Sequence, residues 1–147
     1  MALIASILSP DNVFLDLDLT SKKRLFEQAG ILFENSHGIA RSVIFDALFA
    51  REKLCSTGLG QGVAIPHGRI KSLKDAVGAF VRLKTPLPFE APDGKPVNLV
   101  FILLLPEQAD LHLYIYAELA HLFSDKKLRD ALAEAKTPAE AYQLIAG

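Results

Sequence analysis

From residue 97 to 105 the chain reads Val-Asn-Leu-Val-Phe-Ile-Leu-Leu-Leu, and so apolar a run of this length leaves few architectures open. As a helix it is far too short to cross a bilayer, which takes about 20 residues. It lacks the alternation of a strand with one wet face, so it reads as a central strand covered on both sides. Both coverings can be found in the sequence. Upstream, Thr20 or Ser21 caps a helix in which Leu25, Ala29, Leu32 and Phe33 recur at helical spacing, with Gly38 as its stop signal. A second helix covers about residues 41–53. Downstream, helices are expected near 110–123, 125–135 and 138–146. Further strands are expected at 13–17, 62–66 and 76–83. Four prolines and Asp93-Gly94 make 86–96 a turn-rich connection. Helices on either side of buried strands imply an α/β fold, a three-layer α/β/α sandwich around a central mixed sheet.

The chain of 147 residues is the size of one domain, and 1–147 reads as a single unit without linker, repeat or low-complexity segment. Half the residues are hydrophobic and 22% are charged, which excludes a disordered chain. A formal net charge of −1 argues against nucleic acid as a partner, because no basic surplus is available to neutralise a phosphate backbone. The lone Cys55 cannot form an internal disulfide, and no Cys-x-x-Cys cluster offers a metal site. Without a basic region before its first apolar residues, the N-terminus does not read as a signal peptide, so the expected compartment is the cytoplasm.

Chemistry concentrates in residues 51–68, Arg-Glu-Lys-Leu-Cys-Ser-Thr-Gly-Leu-Gly-Gln-Gly-Val-Ala-Ile-Pro-His-Gly. Pro66 should end a strand, which would leave the His67 side chain at a strand end facing a crevice, with Gly68 leaving room for a large partner. An imidazole of ordinary pKa, about 6.5, is mostly neutral at pH 7 and can attack phosphorus. The plainer alternative is a histidine that ends a strand and bonds a neighbouring carbonyl. Arg51 follows Ile44 by seven residues and Ala47 by four, so it projects along an apolar stripe, where an anion would match its fork. Otherwise it is a snorkelling arginine at a helix C-terminus.

Ser56 and Thr57 can donate hydroxyl protons, and Gly58, Gly60 and Gly62 allow backbone N–H groups to turn inward around an anion. The same residues also suit a tight loop. They are not a Walker loop, since no Lys-Ser/Thr follows and a strand comes next. His112 falls in the first turn of a helix, which favours its neutral form, whereas His121 lies about half a turn round the same helix. His37 reads as a C-terminal dipole partner. Cys55 follows a helix C-terminus, which disfavours a thiolate nucleophile. Glu52 and Lys53 read as a solvated surface pair, and Leu59, Val63, Ile70 and Leu73 as an apolar rim for docking.

The full string, Arg-Glu-Lys, Ser-Thr-Gly and Gly-x-Ala-Ile-Pro-His-Gly, resembles the active-site segment of enzyme IIA domains of the bacterial phosphotransferase system, in the mannitol/fructose class. It is most similar to the free-standing nitrogen-regulatory branch. The resemblance implies that His67 is phosphorylated at Nε2 and that Arg51 lines the site. His112 then matches the family's second active-site histidine, and Ser56, Thr57 and Gly58 form the phosphoryl-binding loop. It also implies a histidine phosphocarrier of the HPr kind as donor, regulatory target proteins as further partners in nitrogen, carbon or potassium control, and no metal or other cofactor. The alternatives are a sugar-specific enzyme IIA that passes its phosphoryl group to an enzyme IIB of a fructose or mannitol transporter, and a binding module that never turns over phosphate.

Overall fold

The computed structural model describes residues 2–107 and 112–147, with the side chains of Ala2, His112 and Leu113 excepted. The apolar run becomes strand β6 (Val97–Pro106), and its neighbours explain why it carries no polar face. Leu99, Phe101, Leu103 and Leu105 pack with Ile115, Leu119 and Phe123 on one side of the sheet. Val100, Ile102 and Leu104 pack with Leu25, Phe33, Ile44 and Leu48 on the other. The first layer holds the helices α1 (Ala2–Ile7), α4 (His112–Phe123), α5 (Lys126–Glu134) and α6 (Pro138–Ala146). The second holds α2 (Lys22–His37) and α3 (Arg41–Leu54). The expected α/β sandwich is therefore present, with the sheet between two helical layers.

Among the described residues the sheet has six strands and is mixed. Strand β1 (Leu8–Leu17) runs parallel to β5 (Val77–Leu87), and β5 runs antiparallel to β6. On its other side β6 is parallel first to β3 (Val63–Ala64), then to β4 (His67–Ile70), while β2 (Gly58–Gly60) closes a hairpin on β3. Val63 pairs with Leu99 and His67 with Leu103, so β3 and β4 follow β6 in one register across Ile65-Pro66. The expectation that Pro66 ends the strand needs correcting. Proline removes one ladder donor, but its carbonyl still accepts from the Leu103 amide at 2.9 Å and pairing resumes at once. His67 is thereby held against the middle of the sheet and not left on a free end.

Local chemistry accounts for the boundaries. Ser21 caps α2 by accepting from the Arg24 amide at 3.1 Å, and Gly38 ends it at φ 69°. Asp125 and Thr137 cap α5 and α6 in the same way. The β2–β3 hairpin turns through Gly60, Gln61 and Gly62, all at positive φ, and Asp93 accepts from the Gln61 amide at 2.8 Å to hold it. Strand β5 runs past its expected end to Leu87, taking in Pro86 beyond an irregularity that starts after Arg82, where a proline is tolerated. Helix α1 was not expected from the sequence. Six residues are too few to show a helical period, yet Ile4 and Ile7 bury against the first layer.

One buried cation ties the layers together. The Arg82 guanidinium on β5 donates to both carboxylate oxygens of Asp16, at 3.1 and 2.9 Å. Its Nη1 donates to the carbonyls of Leu132 and Ala135, at 2.9 and 2.6 Å, at the end of α5. The Leu132 carbonyl also accepts from the Ala135 amide at 3.4 Å, and Arg82 adds its own donors to complete the C-terminus of α5.

Candidate active site

The site begins with a close approach of helix to strand. A Cβ placed on Gly68 would lie 3.0 Å from the Ala47 Cβ and 3.1 Å from its carbonyl carbon. Glycine at 68 therefore lets α3 lie directly on β4, and the next turn of α3 brings Arg51 to the His67 ring. The Arg51 Nε–H donates to His67 Nε2 at 3.2 Å, and its Nη1 donates to the Cys55 carbonyl at 2.7 Å, which fixes the fork at the end of the helix.

The other ring nitrogen, His67 Nδ1, lies 2.8 Å from the Ile65 carbonyl. A carbonyl can only accept, so Nδ1 carries the proton and the neutral ring keeps its lone pair on Nε2. The bond expected of the plainer alternative is present: His67 bonds a neighbouring carbonyl, and that bond leaves Nε2 as the ring nitrogen that meets Arg51. The groove at this end has a volume of about 420 Å³ and is walled by Ala47, Ala50, Arg51 and Leu54 of α3 and by His67 and Arg69 of β4. A neutral, oriented imidazole nitrogen opening beside a guanidinium is a nucleophile suited to an electrophile that carries negative charge.

Tyr116 closes the opposite side and was missed from the sequence. Its ring meets the His67 ring edge to face, with centroids 5.1 Å apart and planes at 64°. Burial pushes its phenol up from the ordinary value, against the opposing pull of the Arg51 charge, so it stays protonated through the neutral range. The available signal was spacing, because Tyr116 stands one helical turn after His112. His112 opens α4 and therefore occupies the turn next to the residue that touches His67. The His112 side chain itself lies outside the described residues. His121 is exposed near the far end of α4.

The loop residues are placed beside the site, with their donors directed at protein acceptors. The Thr57 hydroxyl donates to Glu52 Oε1 at 2.5 Å and its amide to Glu52 Oε2 at 2.9 Å. Ser56 donates to the Phe89 carbonyl, and the Gly58 amide donates to Ser56 Oγ at 3.1 Å. Glu52 is consequently not half of a solvated pair with Lys53. Its side chain is 6% exposed and is also held by Lys22 Nζ at 3.0 Å. A buried carboxylate with three donors pins the loop to the last turn of α3, next to Arg51.

The expected rim also changes. Val63 and Ile70 are fully buried, one in each core cluster, because β3 and β4 are covered on both faces. Leu54, 83% exposed and lining the groove, is the apolar side chain available there. Cys55 is exposed, and its backbone carbonyl is what engages the site. Among the described residues no group of His, Cys, Asp and Glu is arranged to hold a metal ion.

Residues 6–147 match the family described as "Phosphoenolpyruvate-dependent sugar phosphotransferase system, EIIA 2". The chain belongs to this family. It is 37% identical over 147 residues to the nitrogen regulatory protein of Pseudomonas aeruginosa, covering 99% of this chain and 96% of that one. Against the nitrogen regulatory protein of Escherichia coli the identity is 38% over 144 residues, covering 97% and 88%. The crystal structure of nitrogen regulatory protein IIA-Ntr from Neisseria meningitidis superposes with a TM-score of 0.92 at 50% identity, covering 97% and 99%. The crystal structure of IIA mannitol from Escherichia coli gives 0.80 at 21% identity, covering 94% and 98%, a likeness of fold. The EIIA 2 family is thus a component of the phosphotransferase system, and the nitrogen regulatory proteins are nearer to this chain than the mannitol component. No helix among the described residues is long and apolar enough to cross a membrane.

Proposed function

We propose that this protein is a regulatory phosphocarrier of the nitrogen type. It accepts a phosphoryl group from an HPr-like histidine phosphocarrier onto His67 Nε2 and presents its phosphorylation state to partner proteins in nitrogen, carbon or potassium control. The observation that supports this most directly is the pair of bonds on one ring, Nδ1–H to the Ile65 carbonyl and Arg51 Nε–H to Nε2. They select the nitrogen, orient its lone pair and place a cation beside it. The nitrogen regulatory relatives support the regulatory reading over the sugar-specific one.

In the transfer, the Nε2 lone pair attacks phosphorus in line while the P–N bond to the donor's imidazole breaks, and that ring leaves with the electron pair. Nε2 cannot accept from Arg51 once it bonds phosphorus. The guanidinium then turns its N–H groups to the phosphoryl oxygens, where charge is concentrated. The His67 ring gains positive character as the bond forms, so the Nδ1–H bond to Ile65 strengthens on the way to the transition state. No proton need leave the ring. We assign Ser56, Thr57 and Gly58 to shaping the site from below through Glu52 and Phe89, and His112 to the phosphoryl group from the start of α4. In this reading the whole chain is one domain working in the cytoplasm with its donor.

Incubation with phosphoenolpyruvate, enzyme I and an HPr-like phosphocarrier tests the proposal by intact mass. Stoichiometric phosphate on the wild type and none on His67→Ala is expected. Uptake that needs no phosphocarrier, or none at all, contradicts the proposal. Rapid discharge onto a fructose- or mannitol-type enzyme IIB would favour the sugar-specific alternative.

A further inference from the structure

Among the described residues, two hydrogen bonds hold the ends of the His67 imidazole, and neither fixes its tilt. A ring held by Nδ1 to one carbonyl can still rock about that bond, and it can turn over to place the other nitrogen on Ile65. Among the described residues a side chain placed to limit this motion is Tyr116, whose ring meets the imidazole at 5.1 Å and 64°. Tyr116 comes from α4, in the layer opposite the one that supplies Arg51, so the imidazole is held between two helical layers. Aromatic pairs in this edge-to-face arrangement have a definite preferred geometry, and a half-buried tyrosine has limited freedom of its own.

Resting on the phosphocarrier reading, we infer that Tyr116 is a positioning residue for phosphoryl transfer, acting through the His67 ring by its aromatic face and not by its hydroxyl. It holds the imidazole in the plane where Nδ1 meets Ile65 and Nε2 meets Arg51. Misplacing a nucleophile by about 1 Å is enough to slow a reaction by as much as 10²-fold. The phenol is not required as an acid or base, because transfer between two imidazoles moves no proton.

Three variants and two readouts test this. Nitrogen NMR of the His67 ring reports which nitrogen carries the proton, and quench-flow with a phosphorylated HPr-like donor reports the transfer rate and the KM for the donor. Tyr116→Phe should match the wild type in both. Tyr116→Leu should show a mixture of ring tautomers and a transfer rate about 10- to 100-fold lower, with the KM for the donor kept within about two-fold. Tyr116→Met serves if the leucine variant fails to fold. A leucine or methionine variant with one tautomer and wild-type transfer overturns the inference. So does a phenylalanine variant as slow as leucine, which would move the role to the hydroxyl. If the wild type accepts no phosphate while leucine still disturbs the tautomer, the phosphocarrier reading fails and the positioning of His67 by Tyr116 stands.

Discussion

Arg51 serves two acceptors with one guanidinium, a division that a lysine could not reproduce. Nη1 is committed to the Cys55 carbonyl at the end of α3, which leaves Nε–H aimed at His67. An ammonium is a point charge on a flexible stem and cannot hold both directions at once. Arg51→Lys is therefore expected to slow phosphoryl transfer nearly as much as Arg51→Ala, by about 10²–10³-fold, the usual loss for one donor at a developing charge. Circular dichroism should show both variants folded, and quench-flow would settle the rates; a lysine variant within about ten-fold of wild type contradicts this role. Thr57 makes a contrasting prediction. Its hydroxyl satisfies Glu52, so Thr57→Val should lower stability by about 1–3 kcal/mol in denaturant melts while changing transfer far less than Arg51→Ala does. At this scale the sequence showed residue types better than partners. Arg51 and His67 stood out by type and position, but Glu52 looked solvated because its donors, Lys22 and Thr57, are brought to it only by the fold.

At the scale of elements, the site depends on α3 lying close against β4, and Gly68 sets that distance. Gly68→Ala puts a methyl group against the Ala47 backbone, which cannot move without shifting the helix. Overpacking of this kind costs about 1–3 kcal/mol, and here it should also carry Arg51 away from His67. Slower transfer together with a lowered melting temperature is expected, and unchanged kinetics would show that the helix can adjust without affecting the site. Elements with a period or a cap were legible in the sequence. The α2 caps, the β6 run and the span of α6 fall where Ser21, Gly38, the apolar residues and Pro138 indicate. The errors lie where tertiary contact decides. β4 continues beyond Pro66 because β6 still offers an amide, and Val63 and Ile70 are core because two layers cover their strands. Tyr116 was overlooked for a related reason: its one-turn spacing from His112 shows that the two share a helix face, but only the meeting of α4 with β4 brings that face to His67.

For the molecule as a whole, stability and the site separate. Arg82 joins β1, β5 and the C-terminus of α5 on the far side of the sheet from α3, so its loss should unsettle the fold and not the chemistry. Arg82→Met removes the guanidinium donor from the Leu132 and Ala135 carbonyls, a cost of about 2–3 kcal/mol or about 5–10 °C in melting temperature. Transfer by the protein that remains folded should be unchanged. The partner carboxylate gives a pH signature. Hydrogen bonds from Arg82 hold Asp16 below the ordinary carboxylate value. Its contribution is therefore present above the unfolded value, about 3.9, and is lost as pH falls through the folded one. Glu34, bonded by Arg41, and Asp93, bonded by the Gln61 and Lys95 amides, are lowered likewise. Acid melts should steepen below about pH 5 and do so less in Asp16→Asn; an identical profile would show that Asp16 is not linked to folding. The central claim is narrower than any of these, that one nitrogen of one residue takes up phosphate. After charging by an HPr-like donor, peptide mapping and phosphorus NMR should place an acid-labile, hydroxylamine-sensitive phosphoryl group on His67 at Nε2 alone. Phosphate on Nδ1, on His112 or on Cys55 would contradict the account.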